Sequence, residues 1–243
     1  STDKDIPFNT DGGRIEPGYS INYIYDYKVG GIFQNQQEVD EYNAAIEDKT
    51  IGRPFAPGDL YFQDVNGEPD QENGYRFYTP GGDSLINEYD RTFLGKTIPG
   101  YYYGFNFGLE YKGFDFSAFF QGVGDVMKVN SAMQGLGNLG TRGNNVHVSV
   151  LDSWTEERPS STIPKAIVSA QNHNSARPRF VESAAYLRLG NLQLGYTLPQ
   201  NVYSALGNNI QHARIYLSVN NAFLMSPWSG LDPENDDNPM PRT

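Results

Sequence analysis

Tyr101-Tyr102-Tyr103-Gly104-Phe105-Asn106-Phe107-Gly108-Leu109-Glu110-Tyr111 is followed by Lys112-Gly113 and then by Phe114-Asp115-Phe116-Ser117-Ala118-Phe119-Phe120-Gln121. In the first run every second residue is large and apolar, and the residues between are mostly small or polar. A β-strand sends successive side chains to opposite faces, so this alternation predicts one aromatic face and one polar face. Two runs of roughly ten residues joined by a tight turn match the weak signature of a transmembrane β-barrel. A hairpin of a soluble β-sandwich, with one face on a core and one in water, produces the same local pattern.

Composition narrows the choice. The chain has 243 residues, 38% of them apolar and 14% aromatic, with 17 Tyr and 14 Phe. Rings that carry one apolar and one wet side suit a lipid interface. The 26 Gly and 15 Pro imply many turns. Absence of Cys excludes disulfides, thiolate metal sites and cysteine nucleophiles. A net charge of −11 argues against a nucleic-acid partner, since phosphate binding requires a basic face. The acidic residues gather in expected loops, such as 38–48 and 232–237, where solvation is their ordinary role. No apolar run reaches the length of a membrane-spanning helix. The polar opening Ser1-Thr2-Asp3-Lys4-Asp5 is not a signal peptide, so an outer-membrane assignment implies a fragment or a processed piece.

Outward from the hairpin, three further strands are expected. Ile21, Tyr23, Tyr25 and Tyr27 mark one near 18–28, and the others lie near 183–198 and 212–225, beside the hairpin strands at 100–112 and 113–123. One short helix is expected over Gln36–Asp48, with Val39, Tyr42 and Ile46 on its inner side. Gly135 to Gly140 reads as a flexible loop, because it lacks the strand and helix of a phosphate-binding turn. Segments 28–99 and 124–181 form connections of about 60–70 residues, far beyond the roughly 12–15 that compact soluble domains tolerate. Outer-membrane barrels place short turns on one side and long loops on the other, and strand parity puts both long segments on the same end.

Several segments also carry a family resemblance. Asp64-Val65-Asn66-Gly67, Asp90 to Gly100 and Tyr103-Gly104 are similar to the C-terminal third of SusC/RagA-like TonB-dependent outer-membrane transporters. So are Ser153-Trp154-Thr155 with Ile163-Pro164-Lys165-Ala166, and Arg179-Phe180-Val181-Glu182 with Tyr186-Leu187-Arg188-Leu189. Asn191 to Pro199, Arg214 to Asn221 and Ser229-Gly230-Leu231-Asp232-Pro233-Glu234 complete the series, which runs in order through nearly the whole chain.

The resemblance implies an all-β fold: about five antiparallel transmembrane strands of a barrel with about 22, long extracellular loops and one short loop helix. Residues 1–243 would be a C-terminal portion of that barrel, without the plug and without a final strand expected after Pro241-Arg242-Thr243. The expected location is the outer membrane of a Gram-negative bacterium. The implied partners are a SusD-like surface lipoprotein lid, TonB through the absent N-terminal region, and an oligosaccharide or peptide substrate. The runner-up is a soluble β-rich glycan-binding module, and an enzyme ranks third.

Candidate site residues are few. Phe105, Phe107, Leu109, Phe116 and Ala118 are expected to face lipid, with Asn106, Glu110, Asp115, Ser117 and Gln121 facing the lumen. Trp154, Trp228, Tyr61, Tyr75 and Tyr78 are candidates for stacking on sugar rings, although packing of loops or an interfacial belt is the commoner role. Asp64, Asn66 and Asp70, with Glu72, resemble the start of a calcium loop, since hard oxygens at alternate positions suit Ca²⁺. Glu68-Pro69 interrupts that pattern, and an Asx-rich turn without metal is the stronger reading. His147, His173 and His212 have no metal-ligand spacing, and carboxylate pairs in loops lack the rigid floor of a glycosidase.

Overall fold

The structure, a computed structural model, describes residues 7–10, 13–50, 54–137, 145–160, 162–167, 174, 176–203 and 212–234. It divides into two compact units, one formed by 1–98 with 127–182 and one by 99–126 with 183–243.

The second unit is a four-stranded antiparallel sheet of Tyr101–Tyr111 (β1), Phe114–Gly124 (β2), Tyr186–Thr197 (β3) and Arg214–Met225 (β4), hydrogen-bonded in that order. β1 and β2 pair without interruption from Tyr101↔Gly124 to Tyr111↔Phe114. Their two-residue turn has φ 48° at Lys112 and 85° at Gly113. Positive φ at both central positions is the geometry whose twist matches paired strands. The pairing of β3 with both neighbours shifts at Gly190, and on β4 Asn221 takes φ 50° there, a conformation Asn tolerates. At one end of this sheet Val123, Val126, Ala184 and Tyr186 form a small core against which Leu224 and Trp228 pack.

The first unit is built from short pieces. Ile24–Tyr27 pairs with Arg91–Gly95, and Val29–Ile32 with Leu60–Phe62. Glu47–Asp48 runs parallel to Leu85–Ile86, and Asn66–Gly67 pairs with Thr79–Pro80. One helix, Gln36–Ala45 (α1), is capped by Asn35, whose side chain accepts from the Glu38 amide at 3.0 Å. Two apolar clusters fill the unit: Phe33, Val39 and Phe55 with Tyr42 and Tyr61, and Leu60, Phe62 and Ile86 with Tyr27, Val29 and Ile46.

Three expectations change. The strand expected near 18–28 does not join the sheet of long strands. The predicted buried face is not realised, since Ile21 is 64% exposed while the neighbours Tyr23 and Ile24 are both 1% exposed; only Ile24–Tyr27 is extended and its partner is Arg91–Gly95. Period-2 alternation of residue types does not name the strand alongside, and packing against that strand decides which side chains are buried. Among the described residues the long sheet therefore has four strands, not five. Second, the segments 28–99 and 124–181 are not structureless, because their many Gly and Pro separate short strands rather than abolish them. Third, the helix is shorter than expected, and Gly135 and Leu136, the first two residues of the loop expected over 135–140, end a short helix Ser131–Leu136; residues 138–140 lie outside the described residues.

Candidate functional site

The cross-strand register of the long sheet gathers two chemically distinct faces. On one, Phe105, Phe120, Leu189 and Phe223 form a row; Phe107, Ala118, Leu192 and Val219 form the next. Leu109, Phe116, Leu194 and Leu217 follow, and then Tyr111, Phe114, Tyr196 and Ile215. The rings interlock, with Phe105 stacked on Phe120 at 4.6 Å and Phe114 against Tyr196 at 4.4 Å. Most of this face has no protein cover among the described residues: Phe107 is 54% exposed, Leu109 58% and Leu217 69%, whereas Leu189 and Ala118 are buried. Exposed apolar area this continuous marks a membrane or a protein interface. Strands of 11–12 residues have the length of tilted membrane-spanning strands, about 9–11 residues.

The opposite face is polar. Asn106, Ser117, Gln193 and Ser218 lie on it, and the Asn191 amide donates to the Ser218 hydroxyl and the Asn220 carbonyl at 3.1 and 2.9 Å. Arg214 on β4 pairs with Asp115 on β2. The pair reaches across Gly195 of β3, where a Cβ would strike both partners. Phe119 is the exception on this face, and its ring lies over Gly104 and Gly190.

At the end of the sheet two of the resembling segments meet. Arg188 of Tyr186-Leu187-Arg188-Leu189 donates to both carboxylate oxygens of Asp232 at 2.9 and 3.0 Å and pairs with Glu234 at 2.7 Å. The Tyr186 hydroxyl donates to Glu234 at 2.7 Å. Arg188 and Asp232 are both buried, at 5% exposure. The latch ties the segment after β4 back onto β3.

In the first unit, buried polar side chains hold the backbone. Asn174 accepts from the Leu60 amide at 2.8 Å and donates to Asp59 at 3.2 Å and to the Lys165 carbonyl at 3.1 Å. Lys165 pairs with the fully buried Asp59 at 3.1 Å. Asp90, also fully buried, accepts from the amides of Asn87, Val65 and Asn66 at 2.8, 2.9 and 3.2 Å. Burial pushes its carboxyl above the usual range, against the pull of those three donors. Burial likewise raises the Tyr42 phenol, reinforced by Asp48.

The sequence-derived candidates fall as follows. Phe105, Phe107, Leu109 and Phe116 occupy the apolar rows; Ala118 shares a row but is 5% exposed, its small side chain flanked by Phe107 and Leu192. Trp154 is 6% exposed, donates to Gln34 at 3.1 Å and covers Gly58, so its ring packs the loop unit. Trp228 packs at the sheet end and Tyr61 stacks on Phe33 at 4.6 Å. Tyr78 is half-buried and Tyr75 is exposed. Asp64 accepts from the Asp83 and Ser84 amides, Asn66 donates to the Tyr89 carbonyl, and Asp70 accepts from the Glu72 and Asn73 amides. The Asn73 side chain holds the Asp70 carboxyl below its ordinary value. These oxygens close turns, and no group of three His, Asp or Glu is placed to hold a metal among the described residues. His147 caps a short helical turn, and His173 lies outside the described residues. Sequence reasoning missed Asp59 and Asn174, whose only signal is a carboxylate or amide amid turn residues, and read Asp90 only as part of a resembling segment.

Strand length, antiparallel pairing and a largely uncovered apolar face define this sheet as part of an outer-membrane-type β-barrel, not closed by the described residues. No family model matches the chain. It is 30% identical over 222 residues to a TonB-dependent receptor of Formosa agariphila, covering 91% of this chain and 20% of that protein. It is 26% identical over 241 residues to the TonB-dependent receptor SusC of Bacteroides thetaiotaomicron, covering 96% of this chain and 19% of SusC. Its fold matches the RagAB peptide transporter with a TM-score of 0.67 at 24% identity, over 94% of this chain and 22% of that one. In sequence and in fold the chain is SusC/RagA-like, similar to part of the TonB-dependent receptors it matches. It spans about a fifth of the length of the curated relatives it matches, which are named as receptors and not as enzymes.

Proposed function

We propose that β1 to β4 are neighbouring staves, from the C-terminal part of the barrel, of an outer-membrane importer in a Gram-negative bacterium. Their apolar face meets lipid and their polar face lines the lumen. The observation that carries this reading is the set of four-residue apolar rows running across strands of membrane-spanning length, largely uncovered on that side and polar on the other. The segments within 28–99 and 124–181 are the extracellular loops. They hold packed cores of their own, and in the full-length protein they contact a SusD-like lipoprotein lid and an oligosaccharide or peptide substrate. TonB drives uptake through a region outside this chain. The role of this part is binding and gating, with no catalytic step and no cofactor.

The test exploits the lack of cysteine within this chain. Single cysteines at Phe107, Leu109, Leu194, Leu217, Asn106, Gln193 and Ser218 in the full-length protein, on a background free of other cysteines, carry nitroxide labels in liposomes. The first four labels are expected to collide with oxygen in lipid and the last three with a water-soluble nickel chelate. Equal water access at both sets refutes the membrane reading, and uptake unchanged after deletion of α1 with its flanking loop refutes the loop assignment.

A further inference from the structure

Arg179 is a half-buried cation that no carboxylate neutralises among the described residues. It lies in the short turn Arg177–Phe180, where Phe180 is 5% exposed. Its Nη1 donates to the Asn174 carbonyl at 3.0 Å, and its guanidinium carbon sits 4.8 Å from the Phe180 ring centre. Burial draws its pKa down to about 10, and no nearby negative charge counters the shift. The two buried arginines have acids: Arg14 has Glu16 at 3.0 Å and Arg188 has Asp232 at 2.9 Å. The cation nearest in role, Lys165, is already paired with Asp59. The stretches 138–144, 168–173 and 175 contain no Asp or Glu, so the neighbouring sequence supplies no acid either.

Arg179 lines a cavity of about 30 Å³ together with Ser149, Ser153, Lys165 and Ile163. That is room for about two oxygen-sized groups, given roughly 10–15 Å³ for one water, and too little for a sugar ring. A guanidinium presents five N–H donors in a planar fork that fits the two oxygens of a carboxylate. We propose that this cavity is a carboxylate-binding site, taking the head group of a small organic acid or of a peptide chain end against Arg179. The serine hydroxyls are the further donors, and the apolar wall of Ile163 and Phe180 strengthens the pairing by excluding water.

The experiment is amide hydrogen exchange on the full-length protein at 149–153 and 163–166, in sodium acetate and in sodium methanesulfonate at equal ionic strength. The methanesulfonate head carries three oxygens where the cavity has room for about two. At an acetate concentration about ten times its Kd, exchange through local opening is expected to slow about tenfold relative to methanesulfonate. Arg179→Gln is expected to abolish the difference. A dipeptide with a free C-terminus, set beside its amide, separates a chain end from a free acid as the source. Because Arg179→Gln risks misfolding, a bromide soak of wild-type crystals provides an independent readout, with an anomalous peak expected beside the Arg179 guanidinium. Equal exchange in both salts, an acetate effect that survives Arg179→Gln, or a cavity without bromide overturns the site.

Discussion

Replacing Asn174 with alanine isolates what the buried amide does. Its carbonyl is the acceptor for the Leu60 amide at 2.8 Å, and its Nδ2 serves the Lys165 carbonyl at 3.1 Å and Asp59 at 3.2 Å. Asp59 keeps Lys165 and the Ala56 amide at 2.9 Å, so the carboxylate is not stranded. The Leu60 N–H and the Lys165 C=O do lose a partner. Each orphaned buried group costs about 1–3 kcal/mol, which places the loss of two at about 2–6 kcal/mol. The assay is native-state hydrogen exchange of the Leu60 and Lys165 amides in the full-length protein. A loss of about 2 kcal/mol already accelerates exchange about 30-fold, since 1.4 kcal/mol is tenfold. Asn73→Ala, on the exposed surface, serves as the control and is expected to stay within about 0.5 kcal/mol. Less than about a twofold change for Asn174→Ala refutes the reasoning, because water would then replace the amide without cost.

Asp90 sets a pH dependence of unusual sign. Its folded pKa is raised, so its contribution to stability is fully present in acid, below the unfolded pKa, and is lost as pH rises through the elevated value. Exchange protection of Val65 and Asn66, followed against pH, is expected to carry an acid-favouring component that disappears in Asp90→Asn. Asp232→Ala leaves Arg188 buried with only Glu234, and is expected to destabilise the sheet end by about 3–5 kcal/mol, read as a lower urea midpoint in a gel-shift assay of the folded barrel. Gly195→Ala is expected to separate Asp115 from Arg214 while changing stability by less than about 1 kcal/mol, because the pair is partly solvated. A double-mutant cycle between Asp115 and Arg214 measures that coupling, and a value well above 1 kcal/mol contradicts the estimate.

The hairpin was legible because its information is local. Alternation from Tyr101 to Tyr111 names the two faces, and Lys112-Gly113 names the turn, without reference to any other part of the chain. β3 and β4 were legible for the same reason. Ile21 to Tyr27 shows the limit: alternation states that Tyr23 has a buried side, but the partner Arg91–Gly95 lies some 65 residues on, where the sequence reads only as a motif. The loop unit was harder still. Its hydrogen bonds run from Asp59 and Leu60 to Asn174, 115 and 114 residues apart, and no periodicity encodes a side chain that caps distant backbone. The candidate calcium residues illustrate the same point, since Asp64 and Asp70 have the spacing of ligands and the geometry of turn closers.

The central claim is that one face of β1 to β4 meets lipid and the other the lumen. Phe107 and Asn106 are adjacent in sequence, on the same edge strand, and sit on opposite faces. An arginine near the bilayer midplane costs about 2–4 kcal/mol on the lipid face and little in the lumen. The most direct measurement is the yield of folded, heat-modifiable barrel in outer membranes for Phe107→Arg and Asn106→Arg of the full-length protein. The account predicts a severe loss for Phe107→Arg and near-normal yield for Asn106→Arg. Equal yields, or a greater loss for Asn106→Arg, contradict it.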